Sequence, residues 1–221
     1  MTRPVPQPDG SAPLDRPEAR GRTIHNLKFL AWAMHNFTAR NGGRLPSTAI
    51  RKGDKALLSW RVAILPFLEQ GALYERFRLD EAWDSPHNKE LLEEMPRVYA
   101  AVAPGDSTPY FTYYQGLVGP GSVFDGEEGT RIAEATHLAS PTLMIVEAAE
   151  PVPWTKPEDL PYDKAKSLPK LGGQFEDGSY VALADGSARF LGRQVAPETL
   201  HALIARGSAE VVASDELGPW L

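Results

Sequence analysis

The chain contains no cysteine, which excludes thiolate catalysis, Cys-ligated zinc, iron–sulfur clusters and disulfides together. That absence leaves the compartment open, because 221 residues can build a core without covalent staples. No run approaches the roughly 18 consecutive apolar residues of a membrane helix, so no direct membrane insertion by this chain is expected. The first ten residues hold no apolar stretch of the secretory-signal kind. Basic residues are in the minority, 23 Lys and Arg against 29 Asp and Glu for a net charge of −6, so a nucleic-acid partner is not expected. What is abundant is Gly, 19, and Pro, 20, which predicts short elements separated by many turns. With 42% apolar and 24% charged residues the composition is that of a folded domain.

Residues 1–14, with four prolines, read as a flexible tail ahead of a single globular domain over 15–221. Asp15-Arg16-Pro17-Glu18 carries a cap residue and an early proline, and Ile24, Leu27, Leu30, Ala31, Met34 and Phe37 draw one apolar stripe. The spacing predicts a helix over 17–41, stopped by Gly42-Gly43. The continuously apolar run Leu57–Leu68, broken at Pro66, reads as short buried helices, with a second passing through Leu73, Tyr74 and Phe77. Ser85-Pro86 opens another short helix, closed before Pro96. Beyond it the texture becomes β, with strands expected at Tyr110–Tyr114, Leu143–Val146, Ser179–Ala184 and Ser187–Leu191. The last two flank Asp185-Gly186, a hairpin signal that predicts a type I′ turn with two positive-φ residues. Between them the proline-spaced stretch from Pro151 to Asp163 reads as a loop lying over the sheet, and Pro197–Arg206 as a final helix with the poor cap Ala196. Helices first and an antiparallel sheet afterwards make the fold class α+β.

Catalytic templates fail one after another, and no catalytic residue is assigned. The histidines at 25, 35, 87, 137 and 201 show no ligand spacing, and no G-x-S-x-G elbow or phosphate loop is present. No cofactor is expected. Carboxylates in the 147–163 region, Glu147, Asp159 and Asp163, are weak calcium candidates, since oxygen-rich loops bind hard cations. Trp83 and Trp154 border acidic, proline-bearing loops, and Trp32 falls off the apolar stripe of the first helix. These three tryptophans are the candidate interaction surface, for a protein partner or, through the loops at 83–84 and 147–163, for carbohydrate.

Four strings share an order with a known family: Ala33-Met34-His35-Asn36-Phe37, the run Leu58 to Gln70, Trp83-Asp84-Ser85-Pro86-His87-Asn88, and Ala184-Asp185-Gly186-Ser187-Ala188-Arg189-Phe190-Leu191. Together they resemble the prepilin-type domain of unknown function 1559 of planctomycete bacteria, which ends in an H-x9-DG signature. The resemblance implies a type IV pilin-like or pseudopilin-like fold, with a long N-terminal helix packed on an antiparallel sheet. It also implies a non-enzymatic structural or interaction role in a surface or membrane-associated assembly, an extracytoplasmic location, and protein partners or self-assembly. Two positions depart from the pattern. Phe175 stands where the signature His is counted, and Val102-Ala103-Pro104-Gly105-Asp106 replaces a Cys-Pro-Ser-Asp-like segment. No role of that His carries over, whereas the Asp185-Gly186 turn does.

Overall fold

The computed structural model describes residues 16–102, 108–126, 128–136, 141–172, 174–206 and 208. The expected tail, Asp15, Ala103–Asp106 and His137 lie outside the described residues. Helix α1 spans Arg16–Arg40, and its inward face buries Leu27, Leu30, Ala31 and Met34. It ends where Gly42 and Gly43 turn left-handed, at φ 62° and 80°, and Gly43 N–H donates to the Thr38 carbonyl at 2.8 Å.

The following stretch is less helical than its sequence suggests. Strands β1 (Ala49–Lys52) and β2 (Lys55–Ser59) form an antiparallel hairpin, and Leu57 and Leu58 belong to β2. Only Trp60–Ala63 is helical (α2), with the Ser59 side chain accepting from Arg61 N–H. A continuous apolar run does not distinguish a buried strand from a buried helix; Gly53, at φ 59°, supplies the turn between β1 and β2. A 3-10 turn at Leu65–Phe67 accommodates Pro66, and α3 covers Gly71–Arg76. Helix α4 (Pro86–Glu90) starts as expected, with Ser85 Oγ accepting from Asn88 N–H.

The main sheet is four-stranded and antiparallel, in the order β3-β5-β7-β8: Phe111–Gln115, Leu143–Pro153, Gly178–Leu183 and Ala188–Gly192. Strand β5 runs to Pro153, so the first residues of the expected covering loop are a paired strand, Phe111 opposite Pro153. The rest of that stretch adds β6 (Leu160–Pro161), which pairs in parallel with β4 (Leu117–Val118). The β7–β8 connection is a three-residue loop rather than a type I′ turn. Leu183 N–H donates to Ser187 O, and only Gly186 has positive φ, 90°, while the Asp185 carboxylate accepts from Ser187 N–H and Oγ–H. A side chain on Asp185 favours this solution, since it needs a single left-handed residue and glycine provides it.

Both faces of the sheet are covered. The short α5 is Ala133–Thr136, and α6 is Pro197–Ile204. Tyr180 and Ala182 of β7 belong to the core under α1, whereas Val181 and Leu183 face a second cluster under α6, with Leu203 and Ile204. The arrangement is α+β, one long helix on an antiparallel sheet with short helices around it.

Candidate interaction surface

Helix α1 carries a second stripe, on the side opposite its core face. His25, Phe29 and Trp32, spaced by four and three, stack along the helix with centroids 6.3 and 5.8 Å apart and interplanar angles of 14° and 9°. Trp32 is 55% exposed, the large hydrophobic side chain most open to solvent among the described residues. Arg22 and Lys28, both exposed, flank the ladder. The helix sequence holds Arg16, Arg20, Arg22, Lys28 and Arg40 against the single acid Glu18, in a chain whose net charge is −6. A cationic, aromatic face thus projects from an acidic molecule. The off-stripe position of Trp32 pointed to this surface; Phe29 and His25 were not singled out for it, although their spacing to Trp32 was the available signal.

The other two tryptophans are placed differently. Trp83 is half-buried against the core, with Lys156 Nζ 5.9 Å from its ring centroid. Trp154 is fully buried between Tyr99, stacked at 5.7 Å, and Phe77, edge-on at 5.8 Å, and its indole N–H donates to Leu92 O. It is therefore a core residue and not part of an interaction surface, because the proline-spaced stretch folds inward over the Leu57–Tyr99 segment.

The calcium candidates are dispersed into unrelated surroundings, and among the described residues no group of three or more His, Cys, Asp or Glu can hold a metal ion. Asp159 is buried and accepts through one oxygen from Arg61 Nη1 (3.0 Å), Trp60 Nε1 (3.0 Å) and Gly116 N–H (2.7 Å). Burial raises its carboxyl from the ordinary value, and the Arg61 charge and these donors oppose the rise. Arg61, itself fully buried, donates on to Trp154 O and Glu158 O, so the pair's polar atoms serve as an internal brace. Asp163 lies at the surface, paired with Lys166 and capped by Ala165 N–H, which lowers its carboxyl.

Glu147 is enclosed between α1 and the sheet. Its oxygens accept from Gln174 Nε2 (2.5 Å) and Tyr180 N–H (2.7 Å), and burial pushes the carboxyl up to about 8 against those bonds and the Arg20 charge. Nearby, Asn26 of α1 donates to the buried Tyr114 hydroxyl, whose pKa is raised by burial and by Glu147. Arg20 closes the same seam: it pairs with Asp177 at 2.6 Å and lies over the Phe175 ring at 4.8 Å and the Phe190 ring at 5.5 Å. Phe175, standing at the counted His position, thus forms part of an aromatic cradle for an α1 cation. The Asp185-Gly186 turn abuts the same helix, since a Cβ at Gly186 would meet His35 Nε2 at 3.6 Å.

A cleft of about 790 Å³ opens between the β1–β2 hairpin and residues 78–90, but its charges neutralise one another, Lys52 with Asp80 and Arg78 with Glu81. Set beside this geometry, a family model described as a protein of unknown function (DUF1559) matches residues 18–144. The chain belongs to the DUF1559 family. The DUF1559 match takes in the whole exposed ladder of α1, the β1–β2 hairpin and Arg61, and ends within β5, before Glu147, Asp159 and the Asp185-Gly186 turn. No curated protein and no solved structure matches the chain. No helix among the described residues is long and apolar enough to cross a membrane.

Proposed function

We propose that the chain is a non-enzymatic, pilin-like interaction domain that associates with further copies of itself, as a subunit or accessory of a surface or membrane-associated assembly outside the cytoplasm. The observation that carries this reading is the ladder on α1 in which exposed His25 and Trp32 stack on either side of the half-buried Phe29. An indole 55% exposed, like Trp32, is costly to leave in water, and aromatics of this kind are enriched in protein contacts. The occupant is argued from charge. Arg22 and Lys28 flank the ladder, while the rest of the chain is acidic and exposes Asp84, Glu90 and Glu93 in and around α4. A second copy thus offers the complement that the ladder face lacks on its own molecule. Because the two surfaces differ, the contact is head-to-tail, the kind that builds rings or filaments.

Sedimentation velocity over a concentration series tests this. The expected result is reversible self-association that Trp32→Glu abolishes while far-UV circular dichroism and the melting temperature stay those of the parent chain. A chain that sediments as a monomer at every concentration, or associates equally well as the Trp32→Glu variant, would overturn the reading.

A further inference from the structure

On the side of the sheet turned away from α1, helix α6 leaves the ends of β7 and β8 uncovered. There a cleft of about 450 Å³ opens, lined by Leu171, Leu191, Val195 and Leu200 with Lys170 and Arg193. Its size falls in the range of small-molecule sites, roughly 300–1,000 Å³, which are mostly apolar with a few polar groups fixing orientation. Leu171, Val195 and Leu200 are only partly buried by the second core cluster, so they keep apolar surface for another body to cover.

The polar groups are of one sign. Lys170 and Arg193 are exposed and form no ion pair among the described residues. Ser179, the hydroxyl in the lining, already donates to Glu147 O, leaving the two cations to recognise a ligand. Glycines 178 and 192 bring backbone, rather than side chains, to the cleft. At Gly178 this is enforced, since a Cβ would lie 2.2 Å from Leu191 O.

We propose that this cleft binds a monocarboxylate with an apolar body, the tail or ring lying on Leu171, Leu191, Val195 and Leu200 and the carboxylate held by Lys170 and Arg193. One carboxylate matches the planar fork of Arg193 and the point charge of Lys170. An apolar body matches the leucine-rich floor. The contrast with the larger cleft beside Lys52 is chemical: there Asp80, Glu81 and Glu90 line the same walls as the cations, whereas here no carboxylate side chain lines the cleft among the described residues. The site lies across the sheet from the α1 ladder, so it stands independently of self-association.

Isothermal titration with octanoate, and with octanol as its uncharged counterpart, tests the assignment. Saturable one-to-one octanoate binding is expected, about tenfold or more tighter than octanol. The Lys170→Glu/Arg193→Glu pair is expected to reduce it to the octanol level while melting like the parent chain. Absence of saturable octanoate binding, equal affinity for octanol, or binding unchanged in the charge-reversed pair would each overturn the proposal. The charge-reversed pair alters only exposed side chains, so a loss of binding in it is not a loss of fold.

Discussion

At the scale of single residues, Glu147 has the most direct consequence in solution. Its carboxyl has an ordinary value of 4.5 and is raised by burial to about 8, so between those values the folded chain retains a proton that the unfolded chain has released. The folded state binds more protons there, and stability falls as pH rises. The contribution is complete below about 4.5 and is lost as pH passes through about 8. Arg20 on α1 moderates the effect from across the seam, and Tyr114 on β3 stays neutral throughout. Glu147→Gln keeps an acceptor for Tyr180 N–H and carries no charge at any pH. Urea unfolding at pH 5 and pH 8.5 is expected to show the variant gaining on the parent chain by up to a few kcal/mol at the higher pH, with histidine effects cancelling in the difference. A difference that does not grow with pH would mean that Glu147 is ionised in the fold.

At the scale of elements, legibility in the sequence followed how local the determining interaction is. Helix α1 is readable because its stripe and its Gly42-Gly43 stop lie within one segment, and α4 because Ser85 and Pro86 announce its start. The end of β2, Leu57–Ser59, reads as helix in the sequence, since Leu57 and Leu58 are buried by partners that periodicity does not reveal. The loop at 78–82 is held by a device of the same nonlocal kind, the buried Asn88 side chain. Its Oδ1 accepts from Arg78 N–H, and its Nδ2 donates toward Arg78 O, Glu81 O and Ala82 O at 3.0, 3.2 and 3.1 Å. Asn88→Ala leaves these backbone groups without the partner around which the loop is built. A loss on the order of 2–4 kcal/mol in urea unfolding is expected; a loss within ~0.5 kcal/mol would show that water replaces the side chain without penalty.

At the scale of the whole molecule, the question is what makes the helix-rich segment and the sheet one cooperative unit. Arg61 comes from the segment after the first hairpin, and Asp159 from the stretch after β5, separated by 98 positions, which is why the latter was grouped with calcium-type carboxylates by composition alone. Around their 3.0 Å contact the two parts exchange backbone and side-chain bonds: Arg61 Nε–H donates to Trp154 O, Trp60 Nε1–H to Asp159 Oδ1, and Ser59 N–H to Thr155 O. Asp159→Asn strands the buried guanidinium without its counter-charge, and removing one partner of a buried pair typically costs about 3–5 kcal/mol. Trp60 and Trp154 sit in this contact, so their fluorescence reports it, while far-UV circular dichroism reports helix and sheet together. In the parent chain both signals are expected to follow one urea transition. In Asp159→Asn both are expected at a lower midpoint, with an Arg61→Met/Asp159→Leu pair recovering part of the loss because no charge is then left buried. If Asp159→Asn instead costs less than ~1 kcal/mol, or the two signals already separate in the parent chain, the brace does not couple the two parts and their union rests on the apolar core alone.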